Sequence, residues 1–148
     1  MYEIKKLVEN LNKDFGLNVN ISECETFIYC AKESINELMR VLKEEFKFMM
    51  FSGVTSVDYG VDGFEVVYHV TEDKANLLKI KVKLSRNDTS IPSITSIWKA
   101  AGVQEREIFD LMGITFIGHG NLKRVQCTDD FDGHPLRKDF LLNPVNRF

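Results

Sequence analysis

The chain has 148 residues, 44% of them hydrophobic and 28% charged, and its 19 basic and 22 acidic side chains leave a net charge of -3. This is the composition of one ordinary folded domain, able to bury roughly 70% of the surface its unfolded form exposes, and it excludes disordered, collagen-like and mucin-like chains. No clustered excess of Lys and Arg is present to hold a phosphate backbone, so no nucleic-acid partner is expected.

Ile4, Leu7, Val8 and Leu11 recur at helical spacing and predict an amphipathic helix near residues 2–14, stopped by Gly16. The N-terminal stretch lacks the apolar block and small-residue cleavage site of a signal peptide, and every apolar run is far shorter than the roughly 20 residues that span a bilayer. A cytoplasmic location with only indirect membrane association is expected. Leu17, Val19 and Ile21 alternate with polar residues as in a half-buried strand, and Thr26 to Cys30 reads as a second short one. Ser34 and Glu37 have capping-box spacing ahead of Ile35, Leu38, Met39, Leu42 and Phe46, which predicts a helix over about 34–46.

The middle is strand-rich: Phe48 to Val57, Phe64 to Val70 and Leu77 to Leu84, separated by Asp62-Gly63 and by the polar stretch Thr71 to Asn76. Antiparallel hairpins are expected. Lys79, Lys81 and Lys83 alternate with Leu78, Ile80, Val82 and Leu84, so one face of the sheet should be solvated. Beyond Pro92, Ser93 is positioned to cap a helical stretch carrying Ile94, Ile97, Trp98 and Ala101. Gly102 is expected to break it before a second helix from about Val103 to Met112, with Arg106 and Asp110 paired on the surface and Gly113 as the stop. Helices on one face of an antiparallel sheet make an α+β body over 1–117. From Gly118 to residue 148 periodicity is lost, and an extended tail is expected to dock on another surface through Phe131, Leu136, Phe140, Leu141, Leu142 and Phe148.

Few side chains suggest chemistry of their own. Cys24, Cys30 and Cys127 show no zinc spacing and are fewer than the roughly four thiolates an iron-sulfur cluster takes, so reduced, semi-buried thiols are expected. His119, Cys127, Asp129, Asp130, Asp132 and His134 lie within sixteen residues, and a metal-dependent enzyme built on His119, Asp130 and His134 is one alternative, although their spacing follows no standard ligand pattern. Residues 128–139 imitate a calcium loop only in part, since Thr128 replaces the first acidic ligand and Pro135 interrupts it. Glu105, Arg106, Glu107 and Asp110 have the make-up of an acid/base group, but an ion-paired helix surface explains them as well.

Taken in order, Ser93-Ile94-Thr95-Ser96-Ile97-Trp98, Glu105-Arg106-Glu107-Ile108-Phe109-Asp110-Leu111-Met112-Gly113-Ile114, Gly118-His119, Lys123-Arg124 and Gly133-His134-Pro135-Leu136-Arg137-Lys138-Asp139-Phe140 form a signature. It resembles that of the thirty-kilodalton subunit family of respiratory complex I, its C subunits, which includes the matching subunits of membrane-bound energy-converting nickel-iron hydrogenases. The resemblance spans roughly residues 50–140 and takes in Asp58-Tyr59 and Phe64 to His69. Gly120 stands where the family usually has proline, and Phe131 where tryptophan is usual. The short length, the Asp-Leu-Met-Gly wording at 110–113 and the lack of a long C-terminal extension look more like the hydrogenase branch.

The resemblance implies a subunit without a redox centre of its own, held in the peripheral arm on the cytoplasmic side of the membrane against a large catalytic subunit. The nickel-iron site and iron-sulfur clusters would lie in partner subunits, and the complex would couple ferredoxin-dependent hydrogen evolution to ion translocation. The alternative is the corresponding thirty-kilodalton subunit of an NADH:quinone oxidoreductase or of a related membrane-bound oxidoreductase. In either case the interface is expected at Glu105, Arg106, Glu107, Asp110, Gly118, His119, Arg124, Phe131, Gly133, Pro135, Leu136, Arg137, Lys138, Asp139 and Phe140, with the aromatic and leucine side chains as anchors and Arg124, Arg137 and Lys138 as polar locks.

Overall fold

A computed structural model describes residues 3–24, 26–72 and 76–141. Helix α1 (Ile4–Phe15) buries Leu7, Val8 and Leu11, the residues its periodicity singles out, and ends at Gly16. Asn12 then acts as a strand neighbour: its Oδ1 accepts from Val19 N–H at 2.7 Å and its Nδ2 donates to Val19 O at 2.9 Å. That bidentate clasp satisfies both backbone groups of Val19 and aims the chain into β1 (Asn20–Ile21). After β2 (Phe27–Tyr29), Lys32–Ser34 form one turn of 3-10 helix that runs straight into α2 (Ile35–Glu44). The expected capping box does not form. Ser34 already has helical backbone angles, and capping needs the extended conformation that here belongs to Ala31.

Strands β3 (Met50–Asp58), β4 (Phe64–Thr71) and β5 (Leu77–Leu84) make the predicted antiparallel meander. The five-stranded order is β1-β2-β5-β4-β3, and the β2–β5 pairing is parallel, an exception within an otherwise antiparallel sheet. Alternation of two assigns the faces. Val54, Val66, Tyr68, Val70, Leu78, Ile80 and Val82 point into the core shared with Leu7, Leu11, Ile35, Leu38, Met39 and Leu42 of the two helices. Burying each such side chain contributes about 1.5–3 kcal/mol, which makes this layer the main source of stability. Gly63, between β3 and β4, has φ 95°, and a Cβ there would sit 2.2 Å from Leu84 O, so only glycine allows the two chains to approach this closely.

The segment after β5 departs from the sequence reading. Ser90–Pro92 form β6, which pairs in parallel with β7 (Thr115–Ile117), and Ser93 N–H prolongs the ladder by donating to Ile117 O at 2.8 Å. Ser93 is therefore the end of a strand and caps no helix. Residues 94–100 form turns, and a single helix α3 runs from Ala101 to Met112 straight through Gly102. Helix α3 lies along β3, where a bulge between Phe51 and Gly53 interrupts the edge and Gln104 Oε1 accepts from Val54 N–H at 2.7 Å. The helix thus blocks an edge that would otherwise offer unpaired backbone groups.

Among the described residues no helix is long and apolar enough to cross a membrane. Residues 118–141 contain little regular structure, as expected, but they lie against α3 and the end of the sheet. Leu142 and Phe148, two of the expected anchors, lie outside the described residues.

Candidate docking site at the junction of α3, the tail and the sheet

Three polar nodes fasten α3 to the segments on either side of it and the tail to the sheet. The first is Glu105, fully buried on α3, whose Oε2 accepts from Ser93 Oγ at 2.6 Å and whose Oε1 accepts from Ile94 N–H at 2.9 Å. It fastens the irregular 93–100 segment to the helix. Burial raises the Glu105 carboxyl above its ordinary range against the opposing pull of the hydrogen bonds from Ser93 and Ile94. Nearby Tyr68 is wholly enclosed with no hydrogen-bond partner for its hydroxyl, and burial, followed by the Glu105 charge, pushes that phenol up.

The second node is Asp110. It does not pair with Arg106 on the helix surface; it is completely buried, and its Oδ2 accepts from the backbone N–H groups of Val125, Gln126 and Cys127 at 3.0, 2.6 and 2.9 Å. Its Oδ1 takes Arg124 at 2.9 Å, and Arg124 also donates to Phe131 O at 3.0 Å and Gly133 O at 2.8 Å. Burial opposes ionisation of this carboxyl, but the three backbone donors and Arg124 outweigh it and hold the group well below the usual carboxylate range. His134 Nδ1 lies 2.8 Å from Asp110 O and Leu136 N–H donates to Leu111 O at 3.0 Å, so the last turn of α3 is clasped from both sides. Gly113 leaves room for this: its φ is 72°, and a Cβ would come within 2.6 Å of the His134 ring. Arg106 instead donates to Lys123 O at 3.3 Å, and Glu107 is half-buried beside it.

The third node joins the tail to the sheet. Asp58, at the end of β3, accepts from Arg86 at 2.7 Å, from Gly60 N–H at 2.8 Å and from Lys138 N–H at 2.8 Å. The Arg86 hydrogen bond, reinforced by the two backbone donors against burial, keeps Asp58 well below its ordinary range. Arg86 also reaches Asp139 at 2.9 Å, Asp139 holds Arg137 at 3.0 Å, and both guanidinium groups lie over the Phe64 ring at 4.8 and 5.1 Å. Phe131 stacks on Phe140 at 6.0 Å with Arg124 above it at 5.9 Å. Arg86 escaped the sequence reading of the site because its partners lie more than twenty residues away along the chain. Asp58 and Phe64 were visible only as part of a family pattern.

The polar residues expected to lock a partner therefore close first on this chain. Glu105 and Asp110 do not reach the surface, Arg124 and Arg137 are largely enclosed by their internal partners, and Lys138 binds through its backbone while its side chain stays exposed. Gly118 is exposed, and Gly133 and Pro135 are half-buried in the turn that presents Leu136. The apolar side chains that remain open are Leu136, 61% exposed, and Leu141, 85% exposed, with the charged Lys138 and Asp139 exposed between them and Tyr59 and Val61 exposed on the turn after Asp58. The metal-enzyme alternative finds no geometry. Among the described residues no three His, Cys, Asp or Glu side chains gather to hold an ion. Both ring nitrogens of His119 are engaged, Nε2 with Gly102 O at 2.9 Å and Nδ1 with Asn121 N–H at 3.0 Å. Of the thiols, Cys24 is exposed rather than semi-buried, and burial, followed by the charge of Glu33, pushes Cys30 up to about 12.

Residues 28–146 match the family described as the respiratory-chain NADH dehydrogenase 30 Kd subunit. The C subunit of the NADH-quinone oxidoreductase of Moorella thermoacetica is 50% identical over 142 residues, covering 95% of this chain and 92% of that protein. The chain belongs to the 30 Kd subunit family. The same subunit from Citrifermentans bemidjiense is 40% identical over 126 residues, 83% of this chain and 78% of that one. Among solved structures, one chain of the archaeal membrane-bound sulfane sulfur reductase, a respiratory membrane complex, shares the fold with a TM-score of 0.77 at 22% identity, covering 93% of this chain and 85% of that one. A trypsin-resistant fragment of Nqo5 has a TM-score of 0.64 at 22% identity, covering 82% of this chain and all of the fragment. In this chain the signature residues coincide with the three nodes: Asp110 pairs with Arg124, Asp139 pairs with Arg137, and Glu105 binds Ser93 and Ile94.

Proposed function

We propose that this chain is a structural and assembly subunit, without a redox centre of its own, in the peripheral arm of a membrane-bound respiratory oxidoreductase of the complex I type. The family match, with an NADH-quinone oxidoreductase relative 50% identical over nearly the whole length, carries the reading. The curated relatives from Moorella and Citrifermentans are named as NADH-quinone oxidoreductase subunits, which favours the quinone-reducing branch over the hydrogenase branch suggested by the Asp-Leu-Met-Gly wording. Three cysteines on separate segments are too few for an iron-sulfur cluster, so electrons would pass through partner subunits. The docking surface toward the large catalytic subunit is the apolar edge presented by Leu136 and Leu141, with the nodes beneath it keeping that edge in one conformation before binding.

The test is purification of the tagged chain from its native membranes in mild detergent, with identification of partners and metal analysis. Iron-sulfur subunits with quinone-reductase activity and no nickel are expected, and Leu136→Asp with Leu141→Asp should lose them while the isolated subunit keeps its melting temperature. Nickel together with hydrogen evolution would transfer the chain to the hydrogenase branch. Recovery of the tagged chain alone would overturn the reading.

A further inference from the structure

The face of the sheet turned away from α1 and α2 exposes Thr55, Val57, Lys79 and Lys83 around the buried Glu65 and Val67. By register it carries Phe27 and Tyr29 from β2, Lys79, Lys81 and Lys83 from β5, Glu65, Val67 and His69 from β4, and Thr55 and Val57 from β3. Its lysines are not equivalent. Lys81 bridges to buried Glu65 at 3.1 Å and lies 4.0 Å from the centre of the Phe27 ring, so its charge is internally matched. Glu65 Oε1 is nevertheless poorly aligned for a hydrogen bond within that ion pair. Lys79 and Lys83 are exposed and have no carboxylate partner among the described residues, and Lys83 rests over the Tyr29 ring at 4.8 Å.

We propose that this face is a second docking surface, and that its occupant is an acidic segment of another subunit of the same complex, pairing its carboxylates with Lys79 and Lys83. The inference rests on the reading of the chain as a complex subunit. Three observations support it. First, Lys79 and Lys83, the two lysines of the strand without a carboxylate partner among the described residues, place positive charge on a chain whose net charge is -3, and such a patch selects partners of the opposite sign. Second, Lys79 and Lys83 stand four residues apart on one face of β5, about 13 Å, a spacing matched by carboxylates four residues apart in an extended segment. Third, beside Lys83 a depression of about 420 Å³ lined by Asn18, Asn20, Tyr29, Cys30 and Ala31 gives an approaching side chain a polar and aromatic seat. Two unmatched lysines are too little charge for a nucleic-acid backbone, which is held by many phosphate contacts.

The experiment uses the tagged full-length chain in its native membranes. Lys79→Glu with Lys83→Glu changes only exposed side chains, so the isolated variant should melt within about 2 °C of the parent. Recovery of partner subunits should fall about tenfold or more, and wild-type recovery should decline as salt rises from about 50 to about 500 mM. Lys6→Glu with Lys13→Glu, exposed on α1, should leave recovery unchanged, and Lys79→Arg with Lys83→Arg should restore it. Undiminished recovery of the glutamate variant overturns the proposal, as does a loss of recovery matched by the α1 control. Lysine-dependent sedimentation of the isolated protein with phosphatidylserine vesicles would make a lipid surface the occupant and also overturn it. If the wild type itself recovers no subunits, the functional reading falls first.

Discussion

Replacing Asp110 with alanine tests the node on which the tail depends. The substitution leaves three backbone N–H groups, of Val125, Gln126 and Cys127, without their acceptor and removes the countercharge of Arg124, whose side chain is only 15% exposed. Each lost backbone bond costs about 1 kcal/mol where water can enter, and breaking an enclosed ion pair from one side costs about 3–5 kcal/mol. Because the donors share one carboxylate these values overlap, and a total of about 4 kcal/mol is expected. In a domain of this size that lowers the melting temperature by about 8–15 °C, measured by circular dichroism at pH 7. The pH dependence supplies a second check. The Asp110 carboxyl is held below its ordinary range only in the folded chain, so its contribution is complete above the unfolded value near about 4 and fades as the pH falls below it. The gap between wild type and Asp110→Ala should therefore narrow steadily as the pH falls below about 4. A loss under about 1 kcal/mol at pH 7, or a gap that does not narrow in acid, would show that water or another acceptor replaces the carboxylate and that the node does not hold the tail.

Asp58→Asn should free the far end of the tail while leaving the sheet intact, because Lys138 N–H and Arg86 lose their shared anionic acceptor. Limited trypsin digestion followed by mass spectrometry should then show faster cleavage after Arg137 and Lys138, and unchanged cleavage would remove Asp58 from the latch. Glu105→Gln should stabilise the chain increasingly as the pH rises above the ordinary carboxylate range, levelling off once the raised value is passed. Burial raises the wild-type carboxyl, so the folded state binds the proton more tightly than the unfolded state and wild-type stability declines as pH rises through the raised value. The amide still accepts from Ile94 N–H, and the Ser93 hydroxyl can turn to Thr95 Oγ1, 2.8 Å away. A melting difference that is constant with pH would refute this account.

The coupling of the nodes explains how one family signature can be both structural and functional. Glu105 and Asp110 lie about 140° apart around α3, one clasping the segment before the helix and the other the segment after it. The apolar side chains Leu136 and Leu141 are then carried by backbone already fixed at Leu111 and Asp58. A partner meeting that edge would not have to order it, which lowers the entropic cost of association.

Helices α1 and α2 and strands β3 to β5 were legible in the sequence, because their apolar residues repeat at the period of the element and the element is long enough to show it. The family signature at 93–140 was equally legible, and with it the identities of Glu105, Asp110, Arg124 and Arg137. Tertiary structure alone decided how those residues are used. The parallel pair β6–β7 consists of two three-residue strands joined by contacts across about 25 residues, too short for periodicity to register. Ser93 looks like a helix cap until the Ile117 carbonyl takes its N–H, and Asp110 looks like a surface partner of Arg106 until the tail brings three backbone donors to it. Local spacing records what a residue can reach along its own element, whereas burial and long-range pairing depend on which distant segment returns to cover it.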